Sequence, residues 1–466
     1  MRGGTIVTEG GRRQTNVVVK DGAIVALTSD VLPAKRTIDA TGLLVLPGGI
    51  DSHTHLNSVW PFPDERRPVD DFNSGTRGAA AGGITTVIDF VYALDDESLR
   101  EACDRVVGDA ASKSRIDFAL HVVVMKYRDN VISEAHRLLD DGFTSFKFYT
   151  PDPDFAVNTT SYLRFLSSLR GTGAIAMFHC EDRAILDYCK EELFRSGRTS
   201  PRHYPASKPV EAEILSTAQA INLASVAGVP SYIVHLSAAA ALDEAVLARA
   251  RGSTVYIETR PLYLYLTEER FAAEDAIAAR YVGTPPLRTT HDQARLWTSL
   301  ASGEIDVVAS DHVGFTNAQK YQVGDTFDSV PKGVANLETL LPMLYSEGVH
   351  GGRISIERLV QVIATNPARI FGLYPRKGTI EVGSDGDLCI LDPKHSQTLR
   401  GSALHSAADL ELFEGTVVTG YPAYTVSRGE VIFEAGQVAA APGRGQFVPG
   451  RLSLPPAPAA RAEPQQ

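Results

Sequence analysis

The feature that most constrains the fold is an alternation of apolar, strand-like runs with helix-like runs between residues 49 and 374. Runs such as TTVIDFV, FALHVVV and SYIVHLS are separated by helix-like runs such as DESLREACDRVVGDA. Parallel strands joined by crossover helices give this pattern. With about eight such units, the sequence predicts an α/β fold with a closed (β/α)8, TIM-like barrel. The alternative is a doubly wound open sheet, for which we would expect a glycine-rich loop after the first strand, and the sequence has none.

The two ends of the chain have a different pattern, with short strand-like runs and glycine turns. The segment NVVVKDGAIVAL places Asp21 and Gly22 between two β-branched runs, which predicts a tight hairpin. Residues 375–440 are similar. We therefore predict that residues 1–48 and 375–440 form one small discontinuous β-sandwich domain beside a barrel of residues 49–374. Residues 441–466, rich in Pro, Ala and Arg, are predicted to be an extended or disordered tail.

The composition excludes several classes of protein. The net charge of −11 over 466 residues argues against nucleic acid as a partner, because nucleic-acid-binding proteins usually carry a basic face. No apolar run is long enough to span a bilayer, and the start of the chain has no signal-peptide core, so no membrane partner is expected. The four cysteines form no CxxC pair, which is consistent with a reduced, cytoplasmic location.

Polar side chains stand at the ends of several predicted strands. The first strand leads into DSHTHL, whose two histidines are two residues apart and point the same way in an extended chain. Later strands end in FHCED, VHLS and VVASDH. The residues concerned are His53, His55, His179, His235 and Asp311. Each alone fits a core histidine or a helix N-cap, but barrel strand ends converge on one site, and imidazole and carboxylate groups bind Zn²⁺ and its first-row neighbours.

The strand GFTSFKFYTP contains a lysine among aromatic residues. Burying an ammonium group without a partner is costly and lowers its pKa. Lys147 stands in the same ring of strand ends as the histidines. A neutral buried amine reacts with CO2 to give a carbamate, whose two oxygens can bridge two metal ions. The alternative is a lysine that extends to solvent from the strand end.

These motifs resemble the amidohydrolase superfamily, specifically its dihydropyrimidinase/hydantoinase group of cyclic amidases. The likeness covers nearly the whole chain, in the family's order. The motifs are DSHTHL, DDFNSGTRGAAAGGITTVIDF, SFKFY, FHCED, YIVHLSA, YIETRPLYLYLT, YVGTPPLR, VVASDHVGF and NPARIFGLYPRKGTIEVGSDGDLCILDP. The resemblance implies a homotetramer, or a dimer, with two Zn²⁺ or other divalent ions per subunit. It assigns one ion to His53, His55 and Asp311, the other to His179 and His235, and a bridge to carboxylated Lys147.

The resemblance also implies the reaction. A hydroxide held between the two metals opens a dihydropyrimidine or 5-substituted hydantoin ring to an N-carbamoyl amino acid, with Asp311 as general acid and base. In the family, a tyrosine five residues after the bridging lysine stabilises the oxyanion. Here position 152 is Asp, so Tyr149 becomes the candidate; packing in the barrel wall is its alternative role.

Departures from the family's pattern cluster where substrate would bind. The loop after the first histidines contributes two aromatic and two basic residues, Arg260 replaces the usual cysteine, Lys332 replaces an asparagine, and Thr284 replaces a serine. The candidate substrate contacts are Trp60, Phe62, Arg66, Arg67, Arg260, Thr284 and Lys332. The cations suggest an anionic group on the substrate, or else surface charge. The aromatic residues suggest instead a pocket for a bulky substituent.

Two other functions fit the sequence less directly. Asn57 resembles the residue found in allantoinases, so an allantoinase-like or other unusual cyclic-amide or ureide hydrolase is an alternative. A non-enzymatic scaffold, of the dihydropyrimidinase-related kind, belongs to a different class of protein. Retention of all six candidate metal ligands argues against that scaffold.

Overall fold

The computed structural model describes residues 1–57, 66–128, 130–410 and 412–452. The N-terminal segment begins with short strands, which are β1 (Thr5–Thr8), β2 (Gly11–Gln14), β3 (Asn16–Lys20), β4 (Ala23–Thr28) and β5 (Leu44–Pro47). Strands β3 and β4 form the predicted hairpin, with Lys20 opposite Ala23. Asp21 and Gly22 both have positive φ angles, of 50° and 85°, as a two-residue type I′ turn requires. The predicted turn is confirmed.

The middle of the chain forms an eight-stranded parallel sheet within the described residues, with its strands in chain order. Its members are β6 (Gly49–Thr54), β7 (Ile84–Val91), β8 (Asp117–Val123), β9 (Ser145–Tyr149), β10 (Ile175–His179), β11 (Ser231–Ile233), β12 (Val255–Thr259) and β13 (Val307–Val308). Just beyond the last strand, Thr54 and His312 form a parallel bridge, and the His55 N–H donates to the His312 carbonyl at 3.0 Å. The sheet thus closes into the predicted barrel.

Helices connect these strands and cover the outside of the barrel. They are α1 (Phe72–Ala81), α2 (Leu99–Lys113), α3 (Val131–Asp140), α4 (Pro153–Val157), α5 (Thr159–Ser168), α6 (Arg183–Arg195), α7 (Val210–Ala227), α8 (Ala239–Ala250), α9 (Pro261–Tyr265), α10 (Asp275–Arg280), α11 (Thr290–Ser302), α12 (Asn317–Lys320), α13 (Leu340–Met343), α14 (Ile356–Val360) and α15 (Asn366–Ile370). None of those described combines the length and the apolar character needed to cross a membrane.

Strand β9 shows how the barrel sorts its side chains. Phe146 and Phe148 face outward, with ring centroids 5.4 and 5.7 Å from that of Phe165 on α5. Neighbours along a strand point to opposite faces, so Lys147 points into the barrel. The aromatic layer between strand and helix therefore fixes the direction of the lysine.

The C-terminal strands join those of the N-terminus in a second sheet. They are β14 (Leu388–Thr398), β15 (Val417–Ser427), β16 (Glu430–Glu434) and β17 (Gln437–Val438). The sheet order is β17-β16-β15-β14-β5-β1-β2, and β14 pairs antiparallel with β5. Residues of the β3–β4 hairpin and of this sheet share an apolar core that includes Val17, Ile24, Val45 and Ile390. The separate sheet domain is therefore built from both chain ends, as predicted.

The first part of the predicted tail, residues 441–452, lies against the barrel. Phe118 N–H donates to the Gln446 carbonyl at 2.9 Å, and Val448 N–H returns a bond to the Phe118 carbonyl at 2.8 Å. Val448 is buried, and the ring centroid of Phe447 lies 5.2 Å from that of Phe143. This segment is extended, and it buries apolar side chains such as that of Val448. Its content of Pro, Ala and Arg did not indicate this burial. The domain limits at residues 48, 374 and 440 stay a prediction.

Candidate metal centre

The six candidate ligands come from separate strand ends and meet inside the barrel. His53 lies in β6 and His55 just after it, Lys147 lies in β9, His179 ends β10, His235 follows β11, and Asp311 follows β13. All of them are buried, and they are His53, His55, Lys147, His179, His235 and Asp311. Their convergence is the arrangement that the sequence predicts, because the carboxyl ends of parallel strands meet at one mouth of the barrel.

His53, His55 and Asp311 form the first group. Nε2 of His53 and Nε2 of His55 each lie 3.1 Å from Oδ1 of Asp311. Ligand atoms of all three residues lie within 4.8 Å of one another. Two imidazole nitrogens and one carboxylate oxygen therefore face a common point.

His179 and His235 form the second group. Nδ1 of His179 lies 3.0 Å from Nε2 of His235, and the ring centroids are 4.7 Å apart. The His235 ring is 5.4 Å from that of His53, so the two groups are adjacent. Burial lowers the pKa of His179 and lowers that of His235 well below its usual value. Two neutral imidazoles therefore bring one nitrogen each to the same place, where both can bind one ion.

Lys147 lies beside both groups without a partner of its own. It is fully buried, and within the described part of the chain its Nζ has no hydrogen-bond partner. Nζ lies 5.2 Å from the ring centroid of Phe90 and 5.1 Å from that of Tyr149. Burial lowers the pKa of this lysine to about 8, although the charges of Glu258 and Asp311 oppose the shift. A larger fraction of this amine than of an ordinary lysine is therefore neutral near physiological pH, although the protonated form still predominates.

The first group differs from the second in charge. Burial lowers the pKa of His55 to about 4, so this ring is neutral. Burial alone would raise the pKa of Asp311, but the charges of Arg260 and His53 hold it well below its usual value. Glu258 and Asp311 raise the pKa of His53 against the effect of burial. Asp311 is thus an anion, suited to a divalent cation.

Two of the candidate ligands have strained backbones. His235 has a φ of 38° and Asp311 a φ of 49°. Non-glycine residues adopt this left-handed region at a cost of about 1–3 kcal/mol and do so disproportionately at functional sites. Left-handed backbone at these two positions gives the side chains directions that an extended strand would not give them. Such strain is consistent with a role of both residues in a functional site.

Glu258 orients His53 and was missed by sequence reasoning. Its Oε1 lies 2.6 Å from Nδ1 of His53 and accepts the backbone N–H of His235 at 2.9 Å. Tyr232 donates its hydroxyl to Oε2 at 2.8 Å. Metal-binding histidines commonly give their second nitrogen to a carboxylate in this way. A glutamate within the apolar run TVYIET was the available signal.

Glu181 has the same role at His179. Its Oε2 lies 2.8 Å from Nε2 of His179 and accepts from Lys208 Nζ at 2.7 Å and from Thr284 Oγ1 at 2.8 Å. This contact leaves Nδ1 of His179 to face His235. Thr284, a predicted substrate contact, therefore supports a ligand through its side chain. A carboxylate two residues after His179, in the motif FHCED, was the available signal.

These residues fit two divalent ions. Four imidazoles, one anionic carboxylate and one unpartnered amine form a donor set typical of Zn²⁺ and similar metals. The buried amine has no structural reason to stand there as a cation. As a carbamate, it would supply the anionic oxygens that a second ion needs beside His179 and His235.

Tyr149 lies at the edge of the centre. Its ring centroid is 5.4 Å from that of His179, and its hydroxyl oxygen is 2.5 Å from that of Tyr92. Asp152, at the position where the family has its tyrosine, instead caps α4 by accepting from the Asp154 N–H at 2.8 Å. Tyr149 is therefore placed to reach a ligand on the histidines, and its role as an oxyanion donor stays a prediction.

The predicted basic residues have different partners. Arg66 pairs with Asp325 at 2.8 Å, Lys332 donates to the Asp328 carbonyl at 2.9 Å, and Arg260 pairs with Asp311. Arg67 is exposed, and its carbonyl accepts from Gln319 at 2.8 Å. Trp60 and Phe62 lie outside the described residues. Asn57 donates to Asp89 at 3.4 Å and to the Phe90 carbonyl. A shared anion-binding role for the basic residues stays a prediction.

A cavity of about 590 Å³ opens beside the centre. Tyr92 and Tyr149 form one wall, and Leu99, Val123 and Met125 contribute apolar surface. The Tyr92 ring centroid lies 6.3 Å from that of His55, so the cavity adjoins the first group of ligands. Tyr92 and Tyr149 therefore lie between the histidines and this cavity.

Comparisons with known proteins agree with this geometry. Residues 44–432 match the amidohydrolase family. The chain is 38% identical to a D-hydantoinase of Rhizobium radiobacter, over 96% of this chain and 97% of the relative. It is 38% identical to a D-phenylhydantoinase of Escherichia coli O1:K1 / APEC, over 98% and 99%. The crystal structure of dihydropyrimidinase from Brevibacillus agri NCHU1002 superposes with a TM-score of 0.91, at 33% identity and over 98% and 99% of the two chains.

Proposed function

The chain belongs to the amidohydrolase family, in the group of hydantoinases and dihydropyrimidinases, and we propose that it opens a cyclic amide ring by hydrolysis. The ring is a 5-substituted hydantoin or a dihydropyrimidine, and the product is an N-carbamoyl amino acid. Water adds to the ring carbonyl, the carbon–nitrogen bond breaks, and the nitrogen leaves with a proton. The observation that carries the proposal is the meeting of two histidine pairs around a buried lysine without a partner.

The centre would hold two divalent ions, with Zn²⁺ the first candidate. His53, His55 and Asp311 would hold one, and His179 and His235 the other. Two such ions supply Lewis acidity and lower the pKa of a bound water toward neutrality. Glu258 and Glu181 fix which nitrogen of His53 and of His179 faces the centre.

Lys147 would be carboxylated and would bridge the two ions. Its neutral amine attacks CO2, a nitrogen–carbon bond forms, and a proton leaves to solvent. A lysine with a pKa of about 8 has the neutral amine that this step requires. The product is an anion, which replaces an unfavourable buried cation with a group that metals bind.

Asp311 and Tyr149 would act on the substrate itself. The Asp311 carboxylate takes the proton of the attacking water and returns it to the departing nitrogen, a general acid–base role. The Tyr149 hydroxyl, held by Tyr92, donates to the oxyanion that forms on the ring carbonyl. The distance of 3.1 Å between Asp311 and His55 and the ring contact of Tyr149 with His179 support these roles.

The cavity beside the tyrosines would take the ring's substituent. Leu99, Val123 and Met125 give it more apolar than polar surface, although Asp95, Lys126 and Arg128 also line it, and this balance favours an aryl or branched alkyl group. Arg260, which was a candidate for binding a substrate anion, already pairs with Asp311. Rings with apolar substituents are therefore the preferred substrates.

A hydrolysis panel on metal-loaded protein tests this function. It contains dihydrouracil, hydantoin, a 5-aryl hydantoin, allantoin, dihydroorotate and a carboxyalkyl hydantoin, with ring opening followed by absorbance and mass. We expect the aryl hydantoin to be opened fastest. Preference for allantoin or for the anionic rings would replace the proposed substrate class. Two bound metals with no hydrolysis of any ring would contradict the function.

The assembly follows from the family resemblance alone, and the location from the cysteines. A homotetramer is expected, and light scattering on purified protein tests it. A monomer at micromolar concentration would contradict the expectation. A cytoplasmic location is consistent with the four cysteines, which are all free in the structure.

A further inference from the structure

Arg260 is the largest fully buried side chain that the structure describes, and it stands at the metal centre. It follows the last residue of β12, and its guanidinium lies 5.6 Å from the ring centroid of Tyr263 and contacts Ser310 and Asp311 through its nitrogens. Nη1 lies 2.9 Å from Oδ2 of Asp311, Nε donates to the Ser310 carbonyl at 3.2 Å, and Nη2 donates to the Asp311 carbonyl at 3.3 Å. Two nitrogens of this side chain thus contact Asp311, and the third holds the carbonyl of the residue before it.

A second side chain at the end of β12, that of Glu258, contacts His53. Glu258 is two residues before Arg260, and residues two apart on an extended strand share a face. The contacts form a line: Glu258 Oε1 to His53 Nδ1 at 2.6 Å, His53 Nε2 to Asp311 Oδ1 at 3.1 Å, and Asp311 Oδ2 to Arg260 Nη1 at 2.9 Å. Glu258 of β12 therefore contacts His53, and Arg260, just after β12, contacts Asp311. The two ligands are held from opposite sides by side chains of one strand end.

Arg260 also contacts the backbone on either side of the strained Asp311 φ angle. A φ of 49° is unfavourable for an aspartate and persists only where neighbours enforce it. Arg260 holds the carbonyls on both sides of the strained φ angle, that of Ser310 and that of Asp311 itself. A planar guanidinium with several donors can make these contacts together with the carboxylate contact, whereas a lysine ammonium is a single point of charge.

We propose that Arg260 is a positioning residue that fixes the Asp311 carboxylate, so that only Oδ1 is presented to the His53 and His55 site, with Glu258 fixing His53 from the other side. The proposal rests on the proposed function in taking Asp311 as a metal ligand. It gives Arg260 a task inside the centre and removes it from the set of side chains available to bind a substrate anion. Arg260 does not touch the reacting atoms; it acts through Asp311.

The test compares wild type with Arg260→Met and Arg260→Lys, each reconstituted with Co²⁺. The measurements are metal content, the visible absorption of bound Co²⁺, which reports its ligand geometry, and kcat and KM separately. Arg288→Met is the matched control, because Arg288 is also buried and paired, but its guanidinium binds Glu213 at 2.9 Å and Ser237 at 3.0 Å rather than Asp311. Thermal melting measures the loss of stability common to both methionine variants.

For Arg260→Met we expect an altered Co²⁺ spectrum and a kcat lowered about 10- to 100-fold, as for other residues that support a metal ligand. KM should change little, because the lost interaction is not with substrate. Arg260→Lys should keep the charge and recover only part of kcat. Added guanidinium should restore part of the activity of Arg260→Ala. The Arg288→Met control should melt lower and keep the wild-type Co²⁺ spectrum.

Two results would overturn the proposal. An unchanged Co²⁺ spectrum and kcat in Arg260→Met, with lower melting, would make Arg260 a packing residue. A raised KM for anionic rings with unchanged kcat would make it a substrate contact. If wild type binds Co²⁺ but opens no ring, the proposed reaction fails while the spectra still test Arg260. If wild type binds no Co²⁺, both proposals fail.

Discussion

Two buried lysines in this protein have opposite surroundings. Lys377 lies at the amino end of the barrel, where its Nζ is 2.6 Å from Asp117, 2.6 Å from Asp387 and 2.9 Å from Asp385. Lys147 lies toward the carboxyl end, and its Nζ has no hydrogen-bond partner in the described ranges. Both side chains are at most 2% exposed. Burial is therefore the same for the two, and the number of carboxylate partners is not.

The protonation of the two lysines follows from those partners. Burial alone would lower the pKa of Lys377, but its three carboxylates raise it above the usual value. Burial lowers the pKa of Lys147 to about 8. The carboxylates offset the cost of burying the Lys377 ammonium, so Lys377 serves stability. No hydrogen-bonded carboxylate offsets that cost at Lys147, and a perturbed buried group of this kind is typical of a functional site.

The two clusters also show that close acidic groups do not by themselves make a metal site. Ligand atoms of Asp117, Asp385 and Asp387 lie within 4.8 Å of one another, as do those of the first histidine group. A lysine ammonium already occupies the centre of the acidic cluster. It links the start of β8 in the barrel to Asp387 just before β14, so this cluster joins the two sheets. Stability at the amino end and chemistry at the carboxyl end are typical of such barrels.

Replacing the paired lysine should have the largest effect on stability. Lys377→Met removes the cation between three carboxylates, of which Asp385 keeps Arg376 and Asp117 keeps Arg428. Breaking a buried pair in this way costs about 3–5 kcal/mol. Urea unfolding of the metal-loaded protein measures the loss. Metal content and ring opening by the folded fraction should stay at wild-type levels. An unfolding free energy within about 1 kcal/mol of wild type would contradict a structural role, since that is the scale of one ordinary hydrogen bond.

Replacing the unpaired lysine should have the converse effect. Lys147→Met should lose bound metal and lower kcat/KM by at least about 100-fold, or roughly 2.7 kcal/mol. The metal-free variant should be no less stable than metal-free wild type, because an apolar side chain replaces an unpaired amine. Short carboxylic acids added with metal to Lys147→Ala should restore part of the activity. Full metal content in either variant would rule out the bridge.

The two lysines should also differ in their pH dependence in the metal-free protein. Below about pH 8, Lys147 is protonated both folded and unfolded. Above that pH the folded state releases the proton, while the unfolded chain keeps it up to the ordinary lysine value of 10.5. The unfolded state then binds more protons, so stability rises with pH, by up to about 2 kcal/mol between about pH 8 and about pH 9.5.

Lys377 adds no such slope, because its raised pKa keeps it protonated in both states over this range. The measurement is the unfolding free energy at several pH values for wild type and Lys147→Met, both without metal and in CO2-free buffer. The difference between the two proteins should shrink as the pH rises. A constant difference would show that the pKa of Lys147 is not lowered.

The smallest effect should come from thinning the acidic cluster. Asp385 is the most exposed of its three carboxylates and also contacts Arg376 at 3.0 Å. Asp385→Asn leaves Lys377 with two carboxylates, so we expect a loss of about 1 kcal/mol. Urea unfolding measures it beside Lys377→Met. A loss as large as that of Lys377→Met would mean that the cluster acts only as a whole.

The sequence by itself determined the barrel, the sheet built from both chain ends and the candidate ligands. Alternation of period 2 in the strands and the longer period of the helices are local properties of the chain. The position of a residue at a strand end is local too, and strand ends converge in any closed barrel. That was enough to bring His53, His179 and Asp311 together from separate segments.

Only the tertiary structure decided which side chains hold one another. The contacts of Glu258 with His53 and of Lys377 with Asp117 join residues 205 and 260 positions apart. Such pairs depend on barrel closure, strand register and rotamer, and no local periodicity encodes these. For the same reason Arg260, which the sequence presented as a substrate contact, was found beside Asp311. Composition shows how polar a segment is, but only the folded structure determines which side chain each polar residue contacts.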